Sequence, residues 1–268
     1  MVIIYSLTDK GIQMDTLNEY NRHLLSNALW VDLLSPTKDE EQLVEHDLNI
    51  EIPTKKEVEE IEPSSRLYTE NRVVFMTATL VALSDLPQVK NDVVTFILTH
   101  KTLVTLRYIE LHAFKLFQSK LIRSTSTNYT AHSLFIDLLD AVVERLADIL
   151  EKISNQCDEI SQLIFHHHPT ADKTAETNFK RLLQYIGTNG DLGAKVSESL
   201  VSLTRLITYL EQAYGNDLEK DNRVSLTIIH KDVTALREHA TFLSTKFNFL
   251  LDATLGMINI EQNNTIKI

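Results

Sequence analysis

The hydrophobic positions of the chain change their spacing near residue 130, and this change divides the sequence into two halves. In the first half, short apolar runs rich in Val, Ile and Phe lie between polar segments, as is typical of strands in a mixed α/β fold. In the second half, apolar residues recur every third or fourth position, as on one face of an α-helix. The sequence therefore predicts a mixed α/β region followed by long helices.

The first half contains five predicted strands and three predicted helices. The Thr37–Glu40 pair has the spacing of a capping box, and it predicts a helix through about Asp47. Pro53 is expected to begin a second short helix, and Leu111–Ile122 forms the third. The predicted strands are Val2–Ser6, Leu29–Leu34, Val73–Leu83, Val93–Leu98 and Leu103–Tyr108, of which the last two form a hairpin.

Two long helices are predicted after about Ala131. The first spans about 35 residues and ends at His166–Pro169, and the second stops near Gly215. The apolar face of the first helix comprises Leu139, Val142, Leu146, Ile149, Ile153, Ile160 and Leu163. That of the second comprises Val196, Leu203, Leu206 and Leu210.

A third helix gives the clearest pattern in the sequence. From Asn222 to Ile268 it would be about 70 Å long, which exceeds a compact domain, so part of it is expected to contact other chains. No Gly or Pro stop signal occurs in Ile258–Ile268, so we expect this chain to be truncated before a less soluble segment. Its apolar face comprises Leu226, Ile229, Val233, Leu236, Ala240, Leu243, Phe247, Leu250, Thr254 and Met257.

Composition narrows the class of protein. Six Gly and five Pro in 268 residues favour long regular elements, because these residues punctuate helices and strands. The single cysteine, Cys157, excludes an internal disulfide and indicates a reducing compartment. Neither a signal peptide nor a run of about 18 apolar residues is present. The net charge of −11 disfavours a nucleic-acid partner and is compatible with cation binding, although it is also explained by solubility alone.

The sequence gives no support for catalysis. It contains no Gly-rich phosphate loop, nucleophile elbow or His-Glu-x-x-His motif. His166–His168 suggests zinc, but three consecutive residues on a helix point in different directions, unlike the i, i+4 pair of helical zinc sites. We therefore expect a solvated helix end there, and a metal-dependent hydrolase is the weakest of the alternatives.

Several stretches, taken in order, resemble the family of CorA-type magnesium and cobalt channels. The resemblance covers essentially the whole chain, and the last stretch is the most specific. The stretches are Trp30–Leu33 followed by Ser35–Thr37, Glu59–Tyr68, Val73–Ala78, Phe96–Leu98, Leu103–Arg107 and Gly256–Asn263. The Gly-Met-Asn motif that ends the family's first membrane span does not occur.

The resemblance implies the architecture of a cytoplasmic domain. It implies an α+β fold with an N-terminal αβα sandwich over residues 1–125, a long antiparallel helical pair over 126–215, and a stalk helix over 216–268 that continues into a pore. It also implies a homopentamer at the inner (plasma) membrane, anchored by spans beyond this chain. Divalent cations, chiefly Mg²⁺ and in addition Co²⁺, would bind between subunits and close the pore.

The resemblance also implies where the regulatory metal ligands lie. The family places one acid on the short helix of the α/β domain, and the matching positions here are Glu59 or Glu60. The stalk position of the neighbouring subunit matches Ile228, which does not bind cations, so Asp232 and Glu238 are the nearest acids. Such paired carboxylates suit hydrated Mg²⁺, which keeps several waters. Plain solvated helix surfaces are the alternative for both sets.

Two further positions match the mouth of the family's pore. Asn263 would contact hydrated ions there, and Ile266 would narrow the bore. Repulsion between negatively charged subunits gives an independent reason for cations at their interfaces. The remaining alternatives are the cytoplasmic domain of a related zinc transporter, and a coiled-coil scaffold that binds a helical partner.

Overall fold

The computed structural model describes residues 1–60, 62–82, 90–166 and 174–266, and it contains a mixed sheet of seven strands in that part of the chain. Their spatial order is β2-β1-β3-β7-β6-β5-β4, and β3 pairs with β7 in parallel while the other neighbours are antiparallel. The strands are β1 (Val2–Thr8), β2 (Gly11–Thr16), β3 (Ala28–Leu34), β4 (Leu67–Glu70), β5 (Val73–Ala82), β6 (Lys90–Leu98) and β7 (Leu103–Arg107).

Within the described residues, four shorter helices accompany the sheet, and three long ones follow them along the chain. Short 3₁₀ segments at Arg22–Asn27 and Gly215–Asp217 join neighbouring elements. The α-helices are α1 (Lys38–Leu48), α2 (Lys55–Val58), α3 (Pro63–Arg66), α4 (His112–Arg123), α5 (Ala131–His166), α6 (Thr174–Tyr214) and α7 (Lys220–Ile266).

Both faces of the sheet are buried, which makes the first half an αβα sandwich and confirms the predicted fold class. On one face, Val44 of α1 and Val58 of α2 pack with strand residues such as Ile97. On the other face, Phe114 of α4 and Phe135 of α5 lie in one apolar cluster with aromatic and aliphatic strand residues. That cluster continues without a break into the long helices, and the division at residues 125 and 215 stays a prediction.

Local signals located most elements correctly. The capping box is present, since Thr37 Oγ1 accepts from the Glu40 amide and the Glu40 carboxylate accepts from the Thr37 amide. The predicted hairpin is confirmed as β6 and β7. The prediction for Pro53 was wrong, because Thr54 caps α2 through Glu57 and the helix begins at Lys55.

The long helices follow the predicted hydrophobic pattern with one correction. On α7, residues from Leu226 to Thr254 in the predicted series are buried, with Leu236 and Met257 partly buried. On α5, Leu163 is 48% exposed, and Ile164 occupies the buried position instead. Cys157 is also buried on α5, as expected of a small core residue.

Candidate functional site

The first predicted metal ligands lie just after α2, in the segment that leads to α3. The Glu59 amide donates to the Lys55 carbonyl at 3.1 Å, which closes the last turn of the helix. Glu60 lies one residue beyond, and its carbonyl accepts from Arg66 Nε at 2.6 Å. The two side chains are exposed. The acid expected on this short helix, Glu59 or Glu60, therefore lies at its end, because α2 spans Lys55–Val58 and Glu59 is its C-cap.

Neighbouring contacts hold this acidic segment in place on the sheet. Arg66 reaches from the Glu60 carbonyl to Thr79 of β5, with Nη1 donating to Oγ1 at 3.0 Å. Glu57, the acid before them, is engaged in capping α2, because its carboxylate accepts from the amide and hydroxyl of Thr54 at 2.7 and 2.8 Å. Those hydrogen bonds lower the pKa of Glu57. Glu59 and Glu60 are thus exposed acids on an anchored backbone.

The second pair of predicted ligands lies on the outer surface of α7. Asp232 and Glu238 are both exposed. Glu238 borders an open groove of about 450 Å³ that His230 and Lys231 also line. His230 Nδ1 lies 3.3 Å from the Glu211 carboxylate of α6. Each acid therefore faces away from the core of its own subunit.

An apolar stripe runs between these acids along the exposed face of α7. Ile228, Ala235, Phe242 and Phe249 follow one another at seven-residue intervals, so they share one side of the helix. Ile228, Phe242 and Phe249 are 53%, 58% and 59% exposed. We call these four residues the outer stripe. The helix thus has a second apolar face, which is more than half exposed at each of its large residues within the subunit.

The structure brings none of the predicted acids into a complete metal site within one copy. In the described ranges, no three His, Cys, Asp or Glu side chains are arranged so that they could hold a metal ion. Asn263 is an exposed position on the last turns of α7, and Ile266 is the final residue of that helix. His166 ends α5, whereas His167 and His168 lie outside the described residues.

Two features of these surfaces were not predicted from the sequence. The outer stripe was not predicted because the hydrophobic pattern of the buried face of α7 is stronger than that of the outer face. The seven-residue spacing of the stripe is nevertheless visible in the sequence. Strands β2 and β4 were also missed, since each is short and lies at an edge of the sheet. No described helix is both long and apolar enough to cross a membrane.

Comparison with known proteins decides the family. The model of the family described as "CorA-like Mg2+ transporter protein" matches residues 26–268. The chain belongs to this family. It is 30% identical over 247 residues to the magnesium transport protein CorA of Escherichia coli K12, covering 91% of this chain and 75% of that protein. The CorA of Salmonella typhimurium matches to the same extent.

Solved structures of the CorA-like fold agree with the architecture described above. The complete CorA magnesium transporter of Methanocaldococcus jannaschii matches with a TM-score of 0.75 at 14% identity, over 100% of this chain and 80% of that one. The ZntB cytoplasmic domain of Vibrio parahaemolyticus matches with a TM-score of 0.69 at 10% identity, over 96% and 97%. At these identities the likeness shows the fold alone.

Proposed function

We propose that this chain is the cytoplasmic, metal-sensing part of a CorA-type channel for divalent cations, chiefly Mg²⁺ and also Co²⁺. It works without catalysis, at the inner membrane, as one of five copies whose stalk helices continue into the pore. Membership of the CorA-like family supports the transport role. The observation that carries the sensing role is the exposed outer stripe of α7 with acids beside it.

The outer stripe supports association with further copies of this chain. Large apolar side chains at seven-residue spacing are the pattern by which helices pack against one another. Phe242 and Phe249 are each more than half exposed in the single copy, and covering them would remove apolar surface from water. The self-contact would therefore lie along α7, with the stripe at its centre.

The acids supply a reason for this association to depend on metal. Asp232 lies about 40° from Ile228 around the helix and Glu238 about 80° on the other side, at 100° per residue. Both acids therefore flank the stripe and would come close to the neighbouring copy. Each subunit carries a net charge of −11, so unscreened acids at such a contact would repel one another. Hydrated Mg²⁺ between Glu59 or Glu60 of one copy and Asp232 or Glu238 of the next would remove that repulsion.

The proposal is tested on the natural gene product, assembled and purified in Mg²⁺ or in EDTA. Crosslinking yield between subunits and small-angle X-ray scattering are compared in the two conditions. We expect a compact, efficiently crosslinked assembly in Mg²⁺ and a splayed one in EDTA, because the ligand stabilises the state that it binds better. No difference between the two conditions would refute the sensing role.

Charge-matched variants separate the site from general screening. Glu59→Gln with Glu60→Gln should abolish most of the difference between Mg²⁺ and EDTA, and Asp232→Asn should weaken it. The control carries Asp9→Asn and Glu19→Gln, which remove the same charge from exposed positions near β1 and β2. If the control loses the response equally, then Mg²⁺ acts as a diffuse counterion and the assigned ligands are wrong.

The two alternatives are separated by transport measurements on the same gene product. A zinc-transporting relative would carry Zn²⁺ in preference to Mg²⁺ and Co²⁺ into vesicles. A coiled-coil scaffold would carry none of them, and its reading frame would lack two apolar spans after Ile268. Selective uptake of Mg²⁺ and Co²⁺ is the outcome that supports the proposal.

A further inference from the structure

Four chain segments meet where the α/β half joins the stalk helix. They are the β6–β7 turn (Thr99–Thr102), the first turn of α5, the end of α6 at Tyr214, and the segment Gly215–Glu219 that leads into α7. Tyr214 ties the end of α6 to the end of β6, directly before the turn, because its hydroxyl donates to the Leu98 carbonyl at 3.4 Å. We call this place the four-way junction. It lies at the N-terminal end of α7, so its rigidity affects how firmly this stalk helix is fixed to the α/β half.

His132 lies at the centre of the four-way junction. It is the second residue of α5, and the edge of its ring meets Tyr214 with the centroids 4.6 Å apart and the planes at 87°. The His100 ring, from the β6–β7 turn, is 6.5 Å away. Among the described residues, Nε2 of His132 is buried without a hydrogen-bond partner. A proton on that nitrogen would have no acceptor among the described residues, and the nitrogen is shielded from solvent.

The charged and titratable groups around His132 mostly oppose its protonation. His100 faces it from the turn, Tyr214 from α6, and Glu219 from the start of α7. Burial lowers the pKa of His132, His100 lowers it further, and Glu219 alone acts in the opposite direction. The first turn of α5 adds to the cost, because the positive end of the helix dipole disfavours a cation there.

We propose that His132 and His100 form a proton-sensitive contact that opens the four-way junction when His132 takes up a proton. In the closed junction the neutral His132 ring packs edge-on against Tyr214, and the His100 ring lies 6.5 Å from it. In the opened junction His132 is solvated and titrates near its ordinary pKa of about 6.5. This inference rests on the junction alone and does not depend on the proposed metal-sensing function.

The direction of the pH effect follows from proton linkage. Because the pKa of His132 is lower in the closed junction than in the opened one, the opened junction binds more protons at acidic pH. The closed junction is therefore fully stable above pH about 6.5 and loses stability as the pH falls from there toward the lowered pKa. Acidification should loosen the β6–β7 turn and the start of α7, while the distant sheet edge stays unchanged.

The first test is an NMR titration of the histidine side chains in the 268-residue chain. We expect His132 to titrate below 6.5, and we expect His100→Gln to raise the pKa of His132 because it removes the imidazole that lowers this pKa. His100 is exposed, so this variant should fold normally. An unshifted pKa of His132, or one that His100→Gln leaves unchanged, would overturn the proposal.

The second test measures hydrogen exchange at pH 7.5 and 5.5, corrected for intrinsic exchange rates. Amides of Thr99–Thr102 and Gly215–Glu219 should lose protection severalfold at the lower pH in the wild-type chain. That loss should be largely absent in His132→Gln, which does not titrate, and reduced in His100→Gln. The matched control, His23→Gln, changes an exposed histidine elsewhere and should behave as wild type. Equal loss of protection in wild type and His132→Gln would also overturn the proposal.

Discussion

Arg107 and Asp32 form a buried two-point ion pair between the parallel strands β7 and β3. Arg107 Nε donates to Oδ1 of Asp32 at 3.0 Å and Nη2 donates to Oδ2 at 2.8 Å, and the side chains are 1% and 0% exposed. Asp32 also accepts from Thr105 Oγ1 at 2.7 Å and from Gln118 Nε2 of α4 at 3.0 Å. The carboxylate therefore holds two strands and a covering helix together.

Removing one member of this pair should destabilise the domain strongly. Arg107→Leu would leave the Asp32 carboxylate buried without its counter-charge, which typically costs about 3–5 kcal/mol. We expect the free energy of unfolding, measured by urea denaturation, to fall by that amount.

The double variant Asp32→Leu with Arg107→Leu provides the comparison for this prediction. Because it removes both charges, it should recover a large part of the loss. If both variants lose the same small amount, then the pair does not behave as a buried charge. Asp191→Asn, which removes the exposed acid from a surface ion pair with the partly exposed Lys195, should change stability by less than about 1 kcal/mol.

Replacing the aromatic residues of the outer stripe should weaken self-association without unfolding the subunit. Phe242→Ser with Phe249→Ser removes two exposed rings, of which Phe249 stacks on Phe165 of α5 with the centroids 6.0 Å apart. Buried aromatic side chains at interfaces typically contribute 1 kcal/mol or more each, so the dissociation constant should rise at least about tenfold. Sedimentation velocity over a concentration series measures the change.

Tyr20→Ser is the matched control for this experiment. Tyr20 is 91% exposed, but it lies in the α/β half, away from α7. Its replacement should leave the sedimentation behaviour unaltered. A double stripe variant that associates like the wild type would show that the uncovered face of α7 is not the self-contact.

Two glycine-to-alanine substitutions should have opposite effects on stability. Gly190 lies inside α6, where an added Cβ meets no atom within 4 Å, so Gly190→Ala should stabilise the protein by about 0.5–1 kcal/mol. Gly11 has φ +109°, and a Cβ there would lie 2.6 Å from the Ser124 carbonyl oxygen, so Gly11→Ala should be destabilising. Thermal and urea unfolding measure both effects. If Gly190→Ala destabilised the protein as Gly11→Ala does, the helix-propensity argument for Gly190 would be contradicted.

Elements that depend on local interactions were predictable from the sequence. The Thr37–Glu40 capping box acts over three residues, and it fixed the start of α1 within one position. The regular apolar spacing on α7 repeats over about eight turns, so the burial pattern from Leu226 to Thr254 was predicted correctly. A proline by itself gave a weaker signal, because Pro53 is compatible with the residue before a cap as well as with the first turn.

The candidate site was predictable only in part. The family resemblance named Glu59, Glu60, Asp232 and Glu238, and the structure finds all four exposed. It also shows that Glu57 is engaged in a cap, which the sequence expresses only through its distance of three from Thr54. The outer stripe beside Asp232 could have been found by looking for a second seven-residue repeat on α7.

Most segments that become helices and strands are predictable from the amino-acid sequence, because caps, turns and hydrophobic periodicity act within a few residues. Which of those segments touch one another depends on the three-dimensional fold. Arg107 lies 75 residues from Asp32, and His132 meets Tyr214 across an even longer separation, so no local pattern encodes either contact. The parallel pairing of β3 with β7 creates the first environment, and the four-way junction creates the second. In each of them, burial determines the free-energy cost of placing a charge there.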